Sequence, residues 1–272
     1  MNRRAPRALL AGVAAGGLTL AAAFVSTPAD ASSGHRTVGV LRGAHAGFNM
    51  TQSNNWSGYN KGLIETRTPF HAITGQWTVP TATQRVSGRA EHSSTWIGIG
   101  GGCLTTACTV TDSTLIQAGT EQDVASNGAA SYSSWFELIP APSLSTPLAV
   151  HAGDAMFASI VEKVPGVWKI VLRNFTTGGS WSTTVPYSST YGSAEWIEET
   201  PLTFGTGGAG LSAMPNLGSV HFDLATANGA NAALKPAERI QLVATNGSVV
   251  ATPSNPDAQF DGFNDCTYSS SC

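Results

Sequence analysis

In the stretch from Tyr191 to Thr200 three carboxylates, Glu195, Glu198 and Glu199, fall within five residues of a chain that carries few charges. A carboxylate can take a proton from water and return it to a leaving group, so acids brought to one face are suited to hydrolysis. As a strand, the stretch sets Glu195, Ile197 and Glu199 on one face and Trp196 and Glu198 on the other. Carboxylates aimed at a sheet face are costly unless solvated, paired or used. Taken alone, the stretch reads as an exposed edge strand with a solvated acidic face, and Glu198 keeps that assignment below. Other chemistries lack their signatures. There is no G-x-S-x-G elbow, no H-E-x-x-H and no phosphate-binding loop. The six histidines, His35, His45, His71, His92, His151 and His221, have no i+4 or C-x-x-C company, and nothing points to a Ser-His-Asp triad. No metal and no cofactor is expected.

The elements that must position these groups are short strands. From Asn54 onward, Thr/Val/Trp-rich runs are broken by Gly, Pro and Asn. Asn55 to Tyr59 reads as a first strand, and Phe70 to Val79 as a second that Pro80 ends. Ser93 to Gly98, Thr114 to Gly119 and Ser131 to Ile139 follow. Then come Ala155 to Val161, Val167 to Asn174, Ser180 to Val185, the acidic stretch, Val220 to Leu224 and Ile240 to Ala244. Asn174 to Gly179 reads as a hairpin turn, its N-x-T pattern being turn chemistry rather than a glycan acceptor. Helix is hinted only near Thr226–Leu234 and Pro236–Arg239. About a dozen strands at regular spacing indicate an all-β, antiparallel sandwich or jelly roll, whose bent sheets form a groove.

The N-terminus sets the compartment. Arg3, Arg4 and Arg7 precede an apolar run from Ala8 to Val25, and Ala29-Asp30-Ala31 offers a cleavage site, so residues 1–31 read as a secretory signal peptide. Residues 32–50 read as a loose arm or short pro-segment, and residues 51–272 as a single domain. Without the signal peptide, 11 basic and 16 acidic side chains remain, a formal net charge of −5. That excludes a nucleic-acid footprint, and no later stretch is apolar enough to span a membrane. A monomer acting outside the cell is expected. Charged residues are 11% of the chain, against about 25% in ordinary soluble domains. Such a surface changes its charge little as pH falls. Cys103 with Cys108, and Cys266 with Cys272, read as two local disulfides, because neither pair has the spacing of a metal site.

An ordered set of segments resembles the glutamic peptidases, or eqolisins. Asn55-Trp56-Ser57-Gly58 is similar to their N-W-x-G, and Gly75-Gln76-Trp77-Thr78-Val79-Pro80 to their strand ending in V-P. Ser94-Thr95-Trp96-Ile97-Gly98-Ile99 resembles W-V-G-I, Leu115-Ile116-Gln117-Ala118-Gly119 resembles L-Q-T-G, and Trp135-Phe136-Glu137 resembles W-Y-E. Asn174-Phe175-Thr176-Thr177-Gly178 is similar to N-L-T-T-G, and Ala194 to Glu199 to A-E-W-I-x-E. The resemblance implies a concanavalin-like jelly roll of two bent sheets and an acid-acting, pepstatin-insensitive endopeptidase with polypeptide substrates. It implies a catalytic Gln117 and Glu199, with Trp56, Trp96, Trp135 and Glu137 supporting the cleft. One departure stands out: many fungal members carry Asp where this chain has Gly100.

The implied pair makes physical sense. A glutamate near its ordinary pKa of about 4.3 is a usable base in acid, where histidine is protonated. A glutamine amide donates N–H at any pH. Glu199 would activate water and later protonate the leaving nitrogen, while Gln117 orients the water and polarises the carbonyl. Tryptophans in a sandwich are core more often than cleft. The resemblance favours the groove for Trp56, Trp96 and Trp135, whereas Trp196, on the side of its strand opposite Glu199, reads as packing. A secreted glycosidase or carbohydrate-binding module is the alternative. There Glu195 and Glu199, on one strand face, would be acid and nucleophile beside groove tryptophans.

Overall fold

Branched and aromatic side chains pack well on a pleated surface, and Gly, Pro and Asn end each run, so the chain folds as strands. The computed structural model describes residues 41–42, 50–205 and 208–272. The expected signal peptide lies outside the described residues, as does the expected arm apart from Leu41–Arg42 and Met50. The strands that carry the fold are β1 (Trp56–Gly62), β2 (Ala72–Thr78), β3 (Glu91–Gly100), β4 (Leu115–Val124) and β5 (Ala130–Leu138). They continue with β6 (Ala155–Val164), β7 (Val167–Asn174), β8 (Ser180–Pro186) and β9 (Ser193–Glu199). The last are β10 (Ser219–Ala227), β11 (Arg239–Val243), β12 (Val249–Pro253) and β13 (Phe263–Thr267).

Antiparallel pairing runs β5–β4–β3–β9–β1–β11, turns through β12 and β13, and returns as β10–β2–β6–β7–β8. The two halves pack face to face. Ile97, Ile99, Ala118 and Trp196 from the first meet Ile73, Met156, Ile160, Ile170 and Phe222 from the second in one core. Each fully buried Ile or Phe there contributes about 1.5–3 kcal/mol. Trp196 crosses between the layers, its Nε1 donating to the Thr74 carbonyl at 2.8 Å. Gly75 makes room for that ring, since a Cβ there would stand 2.8 Å from Trp196 Cδ1. The fold is thus an antiparallel β-sandwich. A smaller apolar cluster, Trp56, Trp96, Leu115, Trp135, Ile197 and Ile240, lies apart from this core.

Several expectations change. The acidic stretch is not an exposed edge: β9 lies between β1 and β3, and every residue from Ser193 to Glu199 is buried. Glu198 is not solvated either; it faces the interior, where Thr95 Oγ1 donates to it at 2.6 Å. The helix near Thr226–Leu234 is instead a hairpin: Ala227 pairs with Ala230 across Asn228-Gly229, whose φ values of 53° and 78° are those of a tight turn. Pro236–Glu238 is a single 3₁₀ turn, and an unexpected short helix covers Leu63–Thr66. β12 and β13 were not expected. Both disulfides, Cys103–Cys108 and Cys266–Cys272, are formed.

Candidate active site

The face of the first sheet that is turned away from the core is a lattice of three cross-strand rows, because register places same-face residues side by side. One row runs Asn60, Glu195, Gly98, Gln117, Glu137. The next runs Gly58, Ile197, Trp96, Gly119, Trp135, and the third Trp56, Glu199, Ser94, Glu121, Ser133. The glycines open space for tryptophan: a Cβ on Gly119 would stand 2.5 Å from Trp96 Cβ, and one on Gly98 2.9 Å from the Trp96 ring. Gly100 answers the departure from the fungal pattern. Its φ is +91° and a Cβ would stand 1.9 Å from the Thr114 carbonyl oxygen, so no side chain fits.

Donors from β3 and from the bend before β1 hold Glu199. Trp96 Nε1 donates to Oε2 at 2.8 Å, and Asn55 Nδ2 donates to Oε1 at 3.3 Å. The Asn55 amide is itself oriented by Ser53, whose hydroxyl donates to Asn55 Oδ1 at 3.0 Å. Trp56 packs edge-on against Trp96 with ring centroids 5.1 Å apart. Gln117 is fully buried, and its Nε2 donates to Glu137 Oε2 at 2.6 Å. Glu137 connects the two groups, since its charge also acts on Glu199. Trp135 joins Trp56, Trp96 and Ile197 in the apolar cluster beside them.

Burial raises Glu199 to about 8; the Trp96 donor opposes this, Glu137 adds to it, and Asn55 and Trp56 lower it. The near-ordinary value expected from sequence therefore does not hold in the closed site, because a carboxylate out of water loses solvation that its hydrogen bonds only partly replace. Glu195 is pushed well above the carboxylate range by burial, against the Ser193 hydroxyl and the Gly102 amide. It does not share an open groove with Glu199: a Cβ on Gly102 would stand 2.3 Å from Glu195 Oε1, so the first cysteine loop covers it.

Sequence reasoning missed several groups on the same face. Asn55 and Ser94 were quoted only as motif letters. Ser94 is fully buried between Glu199 and Glu121 in the third row. Glu121 is raised by burial and by Asp123, and His92 is raised by its 2.7 Å hydrogen bond with Asp123. Alternation in β3 and β4 would have grouped them, but only pairing brings the two strands together. His92, Glu121 and Asp123 are spaced to ligate a cation, as are Asp223, Asp257 and Asp261 on the far side of the sequence.

Residues 54–260 match the model of the peptidase A4 family. No curated protein matches the chain. Among solved structures, the fold is similar to scytalido-glutamic peptidase bound to a transition-state analogue inhibitor, with TM-score 0.58 and 18% identity over 79% of this chain and 98% of that one. It is similar to SCP-B, an eqolisin in complex with the tripeptide Ala-Ile-His, with TM-score 0.53 and 16% identity over 79% and 98%. It is also similar to aspergilloglutamic peptidase from Aspergillus niger, with TM-score 0.51 and 24% identity over 65% and 99%.

Proposed function

The chain belongs to the peptidase A4 family and is a glutamic endopeptidase acting on polypeptides, and from that premise we propose that it is secreted and works in acid, with Glu199 and Gln117 dividing the chemistry. The observation that supports this division most is the holding of Glu199 by Trp96 and Asn55 on the face that also carries Gln117 and Glu137. In the proposed reaction Glu199 takes a proton from water as the water oxygen bonds to the peptide carbonyl carbon, and the carbonyl electrons move onto oxygen. Gln117 has two N–H groups on its amide nitrogen. This nitrogen donates to Glu137, and we assign the amide as the donor to the developing oxyanion. Glu199 then gives its proton to the amide nitrogen as the C–N bond breaks. Trp56, Trp96 and Trp135 flank the substrate, and no cofactor takes part.

Base action needs the ionised carboxylate, so a Glu199 held at about 8 by burial works against acid activity. The attacking water resolves this in the proposed reaction. A water hydrogen-bonded to Glu199 restores part of the missing solvation and draws its pKa down.

The test is proteolysis of casein across pH 3–8, with and without pepstatin, by the wild type and by Glu199→Gln, with a polysaccharide as the parallel substrate. Pepstatin-insensitive cleavage of casein in acid, lost in Glu199→Gln, is the expected result. An acidic limb of kcat/KM near pH 8 would remove acid action while leaving Glu199 as the base. Full activity of Glu199→Gln would remove the assignment altogether.

A further inference from the structure

A cleft of 480 Å³ opens beside Glu199, where β9 and the segment before β1 leave the sheet. It touches the site on two sides: Thr200 follows Glu199, and Asn54 precedes Asn55, the donor to Glu199. Two arginines, Arg85 and Arg89, line one wall, and Met214, Leu242 and Val250 supply an apolar floor. Among the described residues no Asp or Glu lines this cleft and neither guanidinium makes an ion pair.

The arginines are carried on a fastened loop. Buried Glu91 accepts the backbone N–H groups of Arg85 at 2.7 Å and Val86 at 2.9 Å, so both its carboxylate oxygens are engaged by the backbone. Gln84 Nε2 donates to the Arg89 carbonyl at 2.8 Å. The Arg85 guanidinium lies 3.7 Å from the centroid of the Tyr268 ring. Stacking of this kind fixes the plane of the fork and leaves its edge N–H groups to donate.

We propose that this cleft is a specificity subsite for a carboxylate of the peptide substrate, bound by Arg85 and Arg89, with the apolar floor taking the methylene stem. The proposal rests on Glu199 being the reacting carboxylate. A guanidinium stays charged throughout the acid range, so such a subsite keeps working where carboxylate-lined subsites lose their charge. A substrate glutamate, with an ordinary pKa of about 4.3, is held ionised by the two cations. Thr200 and Asn54, which line the cleft, directly adjoin Glu199 and its donor Asn55 in the chain, so substrate residues near the scissile bond are the ones the cleft would receive. The carboxylate comes either from a glutamate side chain or from the C-terminus of a short peptide.

Quenched fluorescent peptides with Glu or Gln scanned over three positions on each side of the scissile bond, each as free acid and as C-terminal amide, separate these sources at pH 5. One charge-assisted hydrogen bond is worth about tenfold or more. The wild type is expected to favour Glu over Gln at one position by about tenfold in kcat/KM. In Arg89→Gln and Arg85→Gln that ratio falls towards one. A preference present in the amides assigns the side chain; one confined to free acids assigns the C-terminus. A ratio of one at every position in the wild type, or a ratio undiminished in both variants, overturns the subsite. Arg89→Gln decides if Arg85→Gln unfolds through loss of the Tyr268 stack, since the Arg89 side chain makes no hydrogen bond among the described residues. Fluorescence anisotropy of the same peptides on Glu199→Gln reads the subsite without turnover, and equal Kd values for Glu and Gln peptides overturn it there. Absence of any cleavage by the wild type would instead count against the catalytic assignment.

Discussion

At Glu199 two donors from distant parts of the chain converge, and each favours the ionised form. Trp96→Phe removes the donor at 2.8 Å and keeps most of the ring. Its expected effect is a higher Glu199 pKa, so the acidic limb of kcat/KM moves to higher pH. A limb that stays in place would show that Trp96 does not act on the base. Gln117→Ala is expected to lower kcat by about 100–1,000-fold, the usual effect of losing one oxyanion donor; single-turnover kinetics at saturating peptide measure it. Residue chemistry was legible in sequence only as far as motif letters carry. Gln117, Glu137 and Glu199 were named through resemblance. The Trp96 and Asn55 hydrogen bonds were not, because they depend on which strands pair with β9. Glu198 was misassigned for the same reason: alternation says which side of a strand a residue takes, and burial depends on what that side meets.

Strand identities were legible wherever Thr, Val and Trp cluster, since that pattern is local. β12 and β13 escaped because Pro253, Asn264 and Asp265 interrupt the pattern, and their pairing through the bend between layers is what makes them strands. The hairpin at Asn228-Gly229 was hidden by the alanines around it, which favour helix until a partner strand is present. Glycine positions carry the clearest prediction at this scale. At Gly100 a left-handed φ of +91° and a 1.9 Å approach to the Thr114 carbonyl both oppose a side chain. Gly100→Ala is expected to cost about 2 kcal/mol or more, lowering Tm by roughly 5 °C or more. Thermal unfolding followed by circular dichroism checks this, and an unchanged Tm would mean that the turn into the cysteine loop relaxes freely.

For the molecule as a whole, the buried carboxyls link fold stability to pH. Burial raises Asp265 to about 7 and Glu199 to about 8, and lifts Glu195 and Glu198 well above the carboxylate range. In the unfolded chain such groups titrate near 4. Below that pH both states hold their protons, and the stability from this source is fully present. As pH rises from about 4 through 7–8, the unfolded chain sheds protons that the fold retains, and the stability is lost. Tm is therefore expected to be highest in acid and to fall by on the order of 10 °C between pH 4 and pH 8. Asp265→Asn, which keeps an acceptor for the Ser57 hydroxyl, flattens that slope; a Tm rising towards pH 8 in the wild type would contradict the account. The sequence by itself determined the β class, the paired cysteines, the low charge and the sidedness of each strand, because composition and period-two alternation are local properties. Only the tertiary structure decided that the acidic strand is central, that its carboxylates lie out of water, and that Gly100 excludes a side chain. These follow from strand order, layer packing and the approach of one segment to another, which no local pattern contains.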